Sequence, residues 1–132
     1  GYLVVSVTAI KRTAGRLLVG VDCPFTQFPR PAIYGAGHRL ENASRPDGPP
    51  TDCTVVGNAC ESTDVLARDV TLPEPRVGDL LVFRDAGAYC FAMASCYNGR
   101  PLPAEVLVER ERIRLIRRRQ RLEEMTADCG EE

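Results

Sequence analysis

Short runs of β-branched residues, each closed by proline, glycine or a polar turn, constrain this chain more than any other feature. Tyr2 to Ile10 and Arg16 to Asp22 flank the turn Lys11 to Gly15 and are expected to pair as a hairpin. His38 to Asn42, Asp52 to Gly57, Val65 to Val70 and Leu80 to Arg84 read as further strands. Ala104 to Glu109 and Ile113 to Arg117 read as a final hairpin. Arg118 to Ala127, with Leu122 and Met125 at helical spacing, reads as a terminal helix, followed by a frayed acidic end. Between these runs lie a shaped loop, Cys23 to Pro31, with three prolines, a surface loop, Ala43 to Pro50, and a proline-set turn, Leu72 to Asp79. Ala32 to Tyr34 reads as a short extended piece, and Asp85 to Asn98 as a short helical turn or a close-packed loop. About seven short strands and one helix make a mainly β domain, a barrel or a sandwich.

The length, 132 residues, allows one domain, residues 1–132, with a modest core. A net charge of −1 creates no global field that would select nucleic acid or a membrane. No apolar run approaches the ~20 residues of a membrane span. The start, Gly1-Tyr2-Leu3-Val4-Val5, has no basic region, long apolar stretch and cleavage site, so no secretory signal is expected. It also begins in strand-like sequence without Met, as a cut domain or a processed chain would. The six cysteines therefore read as reduced thiols of a cytoplasmic protein rather than a disulfide framework. A metal site is not expected, because there is no C-x-x-C pair and His38 is the only histidine. The seven arginines between Arg110 and Arg121 read as a solvated hairpin edge and helix face. They carry no interleaved aromatic for base stacking, so nucleic acid is not an expected partner.

Chemistry concentrates in Cys60-Glu61-Ser62-Thr63-Asp64, where a thiol, two carboxylates and two hydroxyls fall within five residues. Alone, that is equally a polar turn after a strand. Arg30 and Tyr34, four apart across Pro31, can both address one anion, the guanidinium as a planar fork and the phenol as a single donor. The bland alternative is an exposed arginine and a half-buried tyrosine. Tyr89, after Asp85-Ala86-Gly87-Ala88, can donate to a phosphate or can be a satisfied core tyrosine.

Taken in order, these residues carry a resemblance. Arg30-Pro-Ala-Ile-Tyr34, Gly57-x-x-Cys60-Glu-Ser-x-Asp64, Gly78-Asp79, Asp85-Ala-Gly-Ala-Tyr89, Tyr97-Asn98-x-Arg100-Pro and Pro103-Ala-Glu-Val106 together resemble the C-terminal domain of the fold-type III pyridoxal-phosphate decarboxylases, in particular those acting on diaminopimelate. The resemblance spans nearly the whole chain. It implies a C-terminal β-barrel or sandwich of the alanine racemase/decarboxylase type with a short C-terminal helix, the N-terminal α/β barrel lying outside this sequence. It implies head-to-tail homodimers whose sites draw on both chains. It also implies roles: Tyr89 at the cofactor phosphate, Arg30 and Tyr34 on the distal carboxylate of an amino-acid substrate, and Glu61 on its distal ammonium. Cys60 would enter the partner's site as the proton donor at Cα, and a thiol with an ordinary pKa of about 8.5 can serve there while protonated.

Three departures accompany the resemblance. Cys23-Pro24 stands where the family has Gly-Gly, Asn58 stands where it has proline, and no residue matches the cofactor lysine. Lys11, the only lysine, falls in the first expected turn, so this chain alone is expected to be inactive and not to bind the cofactor covalently. Two other functions stay open at this level: a related decarboxylase of specialised biosynthesis with another amino acid, and a β-domain that serves only in assembly or binding.

Overall fold

Alternation at every second residue decides which side chains form the core. Val5 and Val7 of β1 (Tyr2–Thr13) and Leu17, Val19 and Val21 of β2 (Arg16–Val21) are buried, while the residues between them are more exposed. Cys53 and Val55 of β4 (Pro50–Val56), Leu66 and Leu72 of β5 (Val65–Pro73) and Leu81 and Phe83 of β6 (Leu80–Arg84) complete the apolar face. Phe28, from the loop after β2, caps it, with its ring 5.1 Å from Phe83 and 4.7 Å from His38. Burying one such aromatic contributes about 1.5–3 kcal/mol. These observations come from a computed structural model that describes residues 1–130; the acidic end expected to fray includes Glu131 and Glu132, which lie outside that range.

With β3 (Leu40–Asn42), six strands form one sheet in the order β3-β6-β1-β2-β4-β5. β1 serves both halves: Tyr2 to Ser6 pair with β6, and Val7 to Thr13 pair with β2. The register slips between Val7 and Ala9, which places a bulge at Thr8 where the strand changes partner and bends. β2 and β4 pair in parallel; the other pairs are antiparallel. The sheet curls until its end strands meet at one residue. Asn42 of β3 donates from Nδ2 to the Pro73 carbonyl of β5 at 3.3 Å and to Asp79 Oδ2 at 3.1 Å. The result is a nearly closed, barrel-like sheet.

Several expectations need correction. Ala32 to Tyr34 is not extended but belongs to a one-turn helix, α1 (Arg30–Tyr34). Pro31 sits in its first turn, where a missing N–H costs nothing, and Gly35 ends it at φ 62. The expected turn at Lys11 is strand: β1 runs to Thr13, and the reversal is the two-residue turn Ala14-Gly15, both with positive φ. The terminal helix contracts to α2 (Leu122–Met125). Gln120 explains why, since its Oε1 accepts from Leu102 N at 3.0 Å and its own N–H donates to the Leu102 carbonyl at 3.1 Å, which holds the segment extended. Asp85 to Asn98, by contrast, keeps to its expectation as a turn followed by two short 3₁₀ turns, Phe91–Met93 and Tyr97–Gly99.

The final hairpin forms as expected, from β7 (Glu105–Glu109) and β8 (Arg112–Arg117), outside the main sheet. The pairs Val106/Leu115 and Val108/Ile113 make an apolar face that is exposed. The Arg117 guanidinium lies 4.1 Å over the Phe91 ring and ties the hairpin to the body.

Candidate active site

The loop between β4 and β5 carries Cys60 and Glu61, and it is shaped by Asp64. Gly57 donates to the Asp64 carbonyl at 3.0 Å and Asp64 N to the Glu61 carbonyl at 3.1 Å, which folds residues 57–64 back on themselves. The Asp64 carboxylate is buried at the centre. It accepts from Ala59 N at 2.6 Å and, across the chain, from Phe25 N at 2.6 Å. Both are charge-assisted bonds of the stronger class. A Cβ on Gly57 would stand 2.3 Å from Asp64 Oδ1, so only glycine lets the carboxylate sit there.

Two residues of the 89–101 segment complete the enclosure. Arg100 donates to the Asn58 carbonyl, and the Tyr97 hydroxyl donates to Glu61 Oε2 at 3.3 Å. Ser62 N holds the other Glu61 oxygen at 2.9 Å. The segment is anchored in turn by Gln27, whose Nε2 donates to the Pro101 carbonyl at 2.7 Å, and by an edge contact between Phe25 and Tyr97. Cys60 is thus an exposed thiol on a loop fixed at Asn58 and Ala59 before it and at Glu61 after it. Tyr97 and Arg100 were visible in the sequence only as motif residues, and nothing there assigns them a contact. The Phe25 contact left no sequence signal, because it is made by a backbone N–H.

Arg30 and Tyr34, at positions i and i+4 of α1, lie on one helix face. Tyr89 closes the 85–89 turn with a positive φ of 58, uncommon for an aromatic residue, and Asp85 opens it at 57. Burial pushes the Cys90 thiol up, and the Arg30 guanidinium opposes that, so the α1 cation acts on the residue next to Tyr89. The sequence-expected residues fall into two groups. Cys60 and Glu61 share one loop; Arg30, Tyr34 and Tyr89 share the other side. No hydrogen bond or ion pair joins the two groups themselves among the described residues; the segments that carry them are linked by the Phe25–Asp64 bond and by the bonds of Tyr97 to Glu61 and of Arg100 to Asn58.

Cys23 and Cys53 are buried, structural thiols. Burial, aided by Asp22 and Asp64, pushes Cys23 up to about 12, and burial with Asp52 pushes Cys53 to about 11. Pro24 after Cys23 is fully buried and leads directly into the Phe25 contact. Half-buried His38 packs on Phe28 with Nδ1 2.9 Å from the Arg84 carbonyl. Lys11 pairs opposite Leu18 in β1, about 30 Å along the strand from Gly1, whose carbonyl accepts from Ala86 beside the Tyr89 turn. Lys11, the only lysine, therefore stands far from the Tyr89 turn.

Comparison with known proteins gives this geometry a family. The family model for the pyridoxal-dependent decarboxylase C-terminal sheet domain matches residues 1–87. The diaminopimelate decarboxylase of Archaeoglobus fulgidus is 49% identical over 119 residues, covering 89% of this chain and 28% of the relative. That of Escherichia coli K12 is 40% identical over 139 residues, covering 96% and 33%. The chain thus spans a third or less of the length of these relatives. The structure of a diaminopimelate decarboxylase from M. jannaschii in complex with L-lysine superposes with a TM-score of 0.94 at 34% identity, covering 99% of this chain and 30% of that one. The overall fold is thus shared with these relatives, and this chain belongs to the pyridoxal-dependent decarboxylases as their C-terminal sheet domain.

Proposed function

We propose that this chain supplies the β-domain half of a cytoplasmic pyridoxal-phosphate decarboxylase that converts a diaminopimelate-like amino acid to lysine. One observation carries the reading: the residues expected to do chemistry are displayed outward. Tyr34 is 64% exposed and Tyr89 63%, and the Cys60 thiol is exposed. Exposed tyrosines beside an arginine on one side, and an exposed thiol beside a carboxylate on the other, each form part of a wall of a site. A site that excludes water needs a second wall, and an α/β-barrel domain, in the same polypeptide or a separate one, would supply it. The exposed apolar face of the β7–β8 hairpin supports such an assembly.

Pyridoxal phosphate, when bound, supplies the electron sink that lets the α-carboxylate leave. The residues of this chain have the remaining tasks. Tyr89 donates its hydroxyl to the cofactor phosphate. Arg30 and Tyr34 hold the distal carboxylate, and Glu61, oriented by Tyr97 and Ser62 N, holds the distal ammonium. Cys60 delivers a proton to Cα. The separation of the two residue groups fits a homodimer in which Arg30, Tyr34 and Tyr89 serve one site and Cys60 and Glu61 the other. The substrate reading gains support from a second neighbour. A lysine/ornithine decarboxylase from Vibrio vulnificus, complexed with cadaverine, matches 74% of this chain at a TM-score of 0.67, well below the diaminopimelate enzyme.

The test is carbon dioxide release from meso-diaminopimelate and from lysine by the barrel-containing protein, wild type and Arg30→Met. A strong preference for diaminopimelate that shrinks in Arg30→Met is expected, because an analogue lacking the carboxylate leaves the guanidinium unpaired. Equal kcat/KM for both amino acids in the wild type would rule out the carboxylate clamp. Mixing Cys60→Ala with Arg30→Met chains tests the shared site. Random dimers should recover roughly a quarter of wild-type activity, since half are mixed and each mixed dimer keeps one intact site.

A further inference from the structure

We infer that Asp64 is a positioning residue for both substrate-reading groups, an inference that rests on the proposed decarboxylase reading. Its carboxylate makes two bonds with different consequences. The bond from Ala59 N, at 2.6 Å, fixes the backbone immediately before Cys60 and Glu61. The bond from Phe25 N, also at 2.6 Å, fixes the start of the segment that runs through buried Thr26, Gln27 and Phe28 into Arg30 of α1. No other side chain among the described residues hydrogen-bonds both segments. In the proposed dimer the two segments belong to different sites, so one buried carboxylate sets the placement of the proton donor for one site and of the carboxylate clamp for the other.

The surroundings leave Asp64 little freedom. It is 4% exposed, and the backbone of Gly57 lies against its carboxylate so closely that a Cβ there would meet both oxygens, at 2.3 and 2.4 Å. The Gly57 N–H is itself bonded to the Asp64 carbonyl, so the glycine and the aspartate are locked in register. An asparagine at 64 keeps the size and one acceptor but turns the other atom into a donor, which then faces an N–H donor. One of the two segments must come loose. Misplacement of a reacting group by about 1 Å can cost ~10²-fold in rate.

The experiment uses the barrel-containing enzyme and compares Asp64→Asn with Asp79→Asn. Asp79 is a suitable control because it is equally buried, at 4%, and equally bonded, to Asn42, Arg45 and Arg76 N. Those partners lie in the closing turn of the sheet, away from the Cys60 loop. Wild-type release of carbon dioxide from meso-diaminopimelate establishes the underlying reaction, and its absence would remove the decarboxylase reading rather than this inference alone. Given that activity, Asp64→Asn is expected to lower kcat about a hundredfold and to shrink the diaminopimelate-over-lysine ratio of kcat/KM at least tenfold. Asp79→Asn is expected to lower the melting temperature while keeping that ratio within twofold. Gly57→Ala, which displaces the same carboxylate by contact, is expected to reproduce the Asp64→Asn pattern. An Asp64→Asn enzyme that folds and keeps both kcat and the substrate ratio would overturn the inference. So would a ratio that falls as far in Asp79→Asn, since the loss would then reflect general loosening. Should Asp64→Asn fail to fold, Gly57→Ala decides by the same two readouts.

Discussion

Replacing Asn42 with alanine isolates the scaffold from the site, and the structure gives its cost. Asn42 is buried where the two ends of the curled sheet meet, and its side chain makes four hydrogen bonds. Nδ2 donates to the Pro73 carbonyl and to Asp79 Oδ2; Oδ1 accepts from Ser44 N and Arg45 N, both at 3.1 Å. The four losses are not equal. Asp79 Oδ2 keeps Arg76 N and Arg45 Nε as donors, so it is not orphaned. Ser44 and Arg45 are exposed, so water can take over their N–H groups, at a net cost of about 0.5 kcal/mol each. The carbonyl of half-buried Pro73 loses its link to β3 at a cost of about 2 kcal/mol. The total is about 3 kcal/mol, a large share of the ~5–15 kcal/mol that holds an ordinary domain together. Urea denaturation of the 132-residue chain is the assay. With a slope of about 1.5 kcal/mol/M, the midpoint should fall by about 2 M without a change in slope. A loss below about 1 kcal/mol would refute the claim that Asn42 closes the sheet. Asn42→Asp sharpens the test, because it sets a second carboxylate beside Asp79 and raises one of the two pKa values. A carboxyl whose folded pKa is raised costs stability at neutral pH, and the cost is relieved as pH falls through that pKa. Asn42→Asp should therefore recover toward wild type on acidification, and Asn42→Ala should not.

Cys60→Ala in the barrel-containing enzyme is expected to lower kcat about 10²–10⁴-fold with little change in KM, because the thiol acts after binding; a steady kcat with a raised KM would make Cys60 a packing residue. Thiol labelling of the native chain at pH 8 should be rapid at exposed Cys60 and Cys129 and slow at Cys23 and Cys53, whose thiols stay protonated and buried, and unfolding should equalise the four. Both buried thiols are raised above their ordinary value, so the folded state keeps protons that the unfolded state releases; stability should be intact at neutral pH and fall as pH rises toward 11 and 12, as a pH series of denaturation curves would record. Borohydride treatment of the isolated chain with pyridoxal phosphate should leave no stable adduct at a defined site, checked by mass spectrometry of peptides, since Lys11 lies on a solvent-facing strand end.

Local pattern alone determined the strands. Val5/Val7, Leu17/Val19/Val21 and Leu81/Phe83 alternate because a strand with one buried face must alternate, so the elements and their inner faces could be read residue by residue. The motifs around Arg30, Cys60 and Tyr89 likewise pointed to the family, since each is a short run whose residues keep their order in any fold. Where local signals conflicted, the sequence was a poor guide. In the sequence Pro31 closes a proline-rich loop before an extended piece, and only the structure, with the Gly35 cap, shows it opening α1. Leu122 and Met125 promise a longer helix than forms, because the Gln120–Leu102 contact, made across 18 residues, holds the preceding segment extended. Tertiary structure alone decided the order of the strands, the parallel pairing of β2 with β4 and the joint at Asn42. It also decided that Asp64 reaches across 39 residues to a backbone N–H at Phe25. A backbone donor carries no side-chain identity, and a contact between distant segments exists only once the sheet has curled. Residue patterns therefore named the chemical groups, while the closing of the fold set which of them are held together.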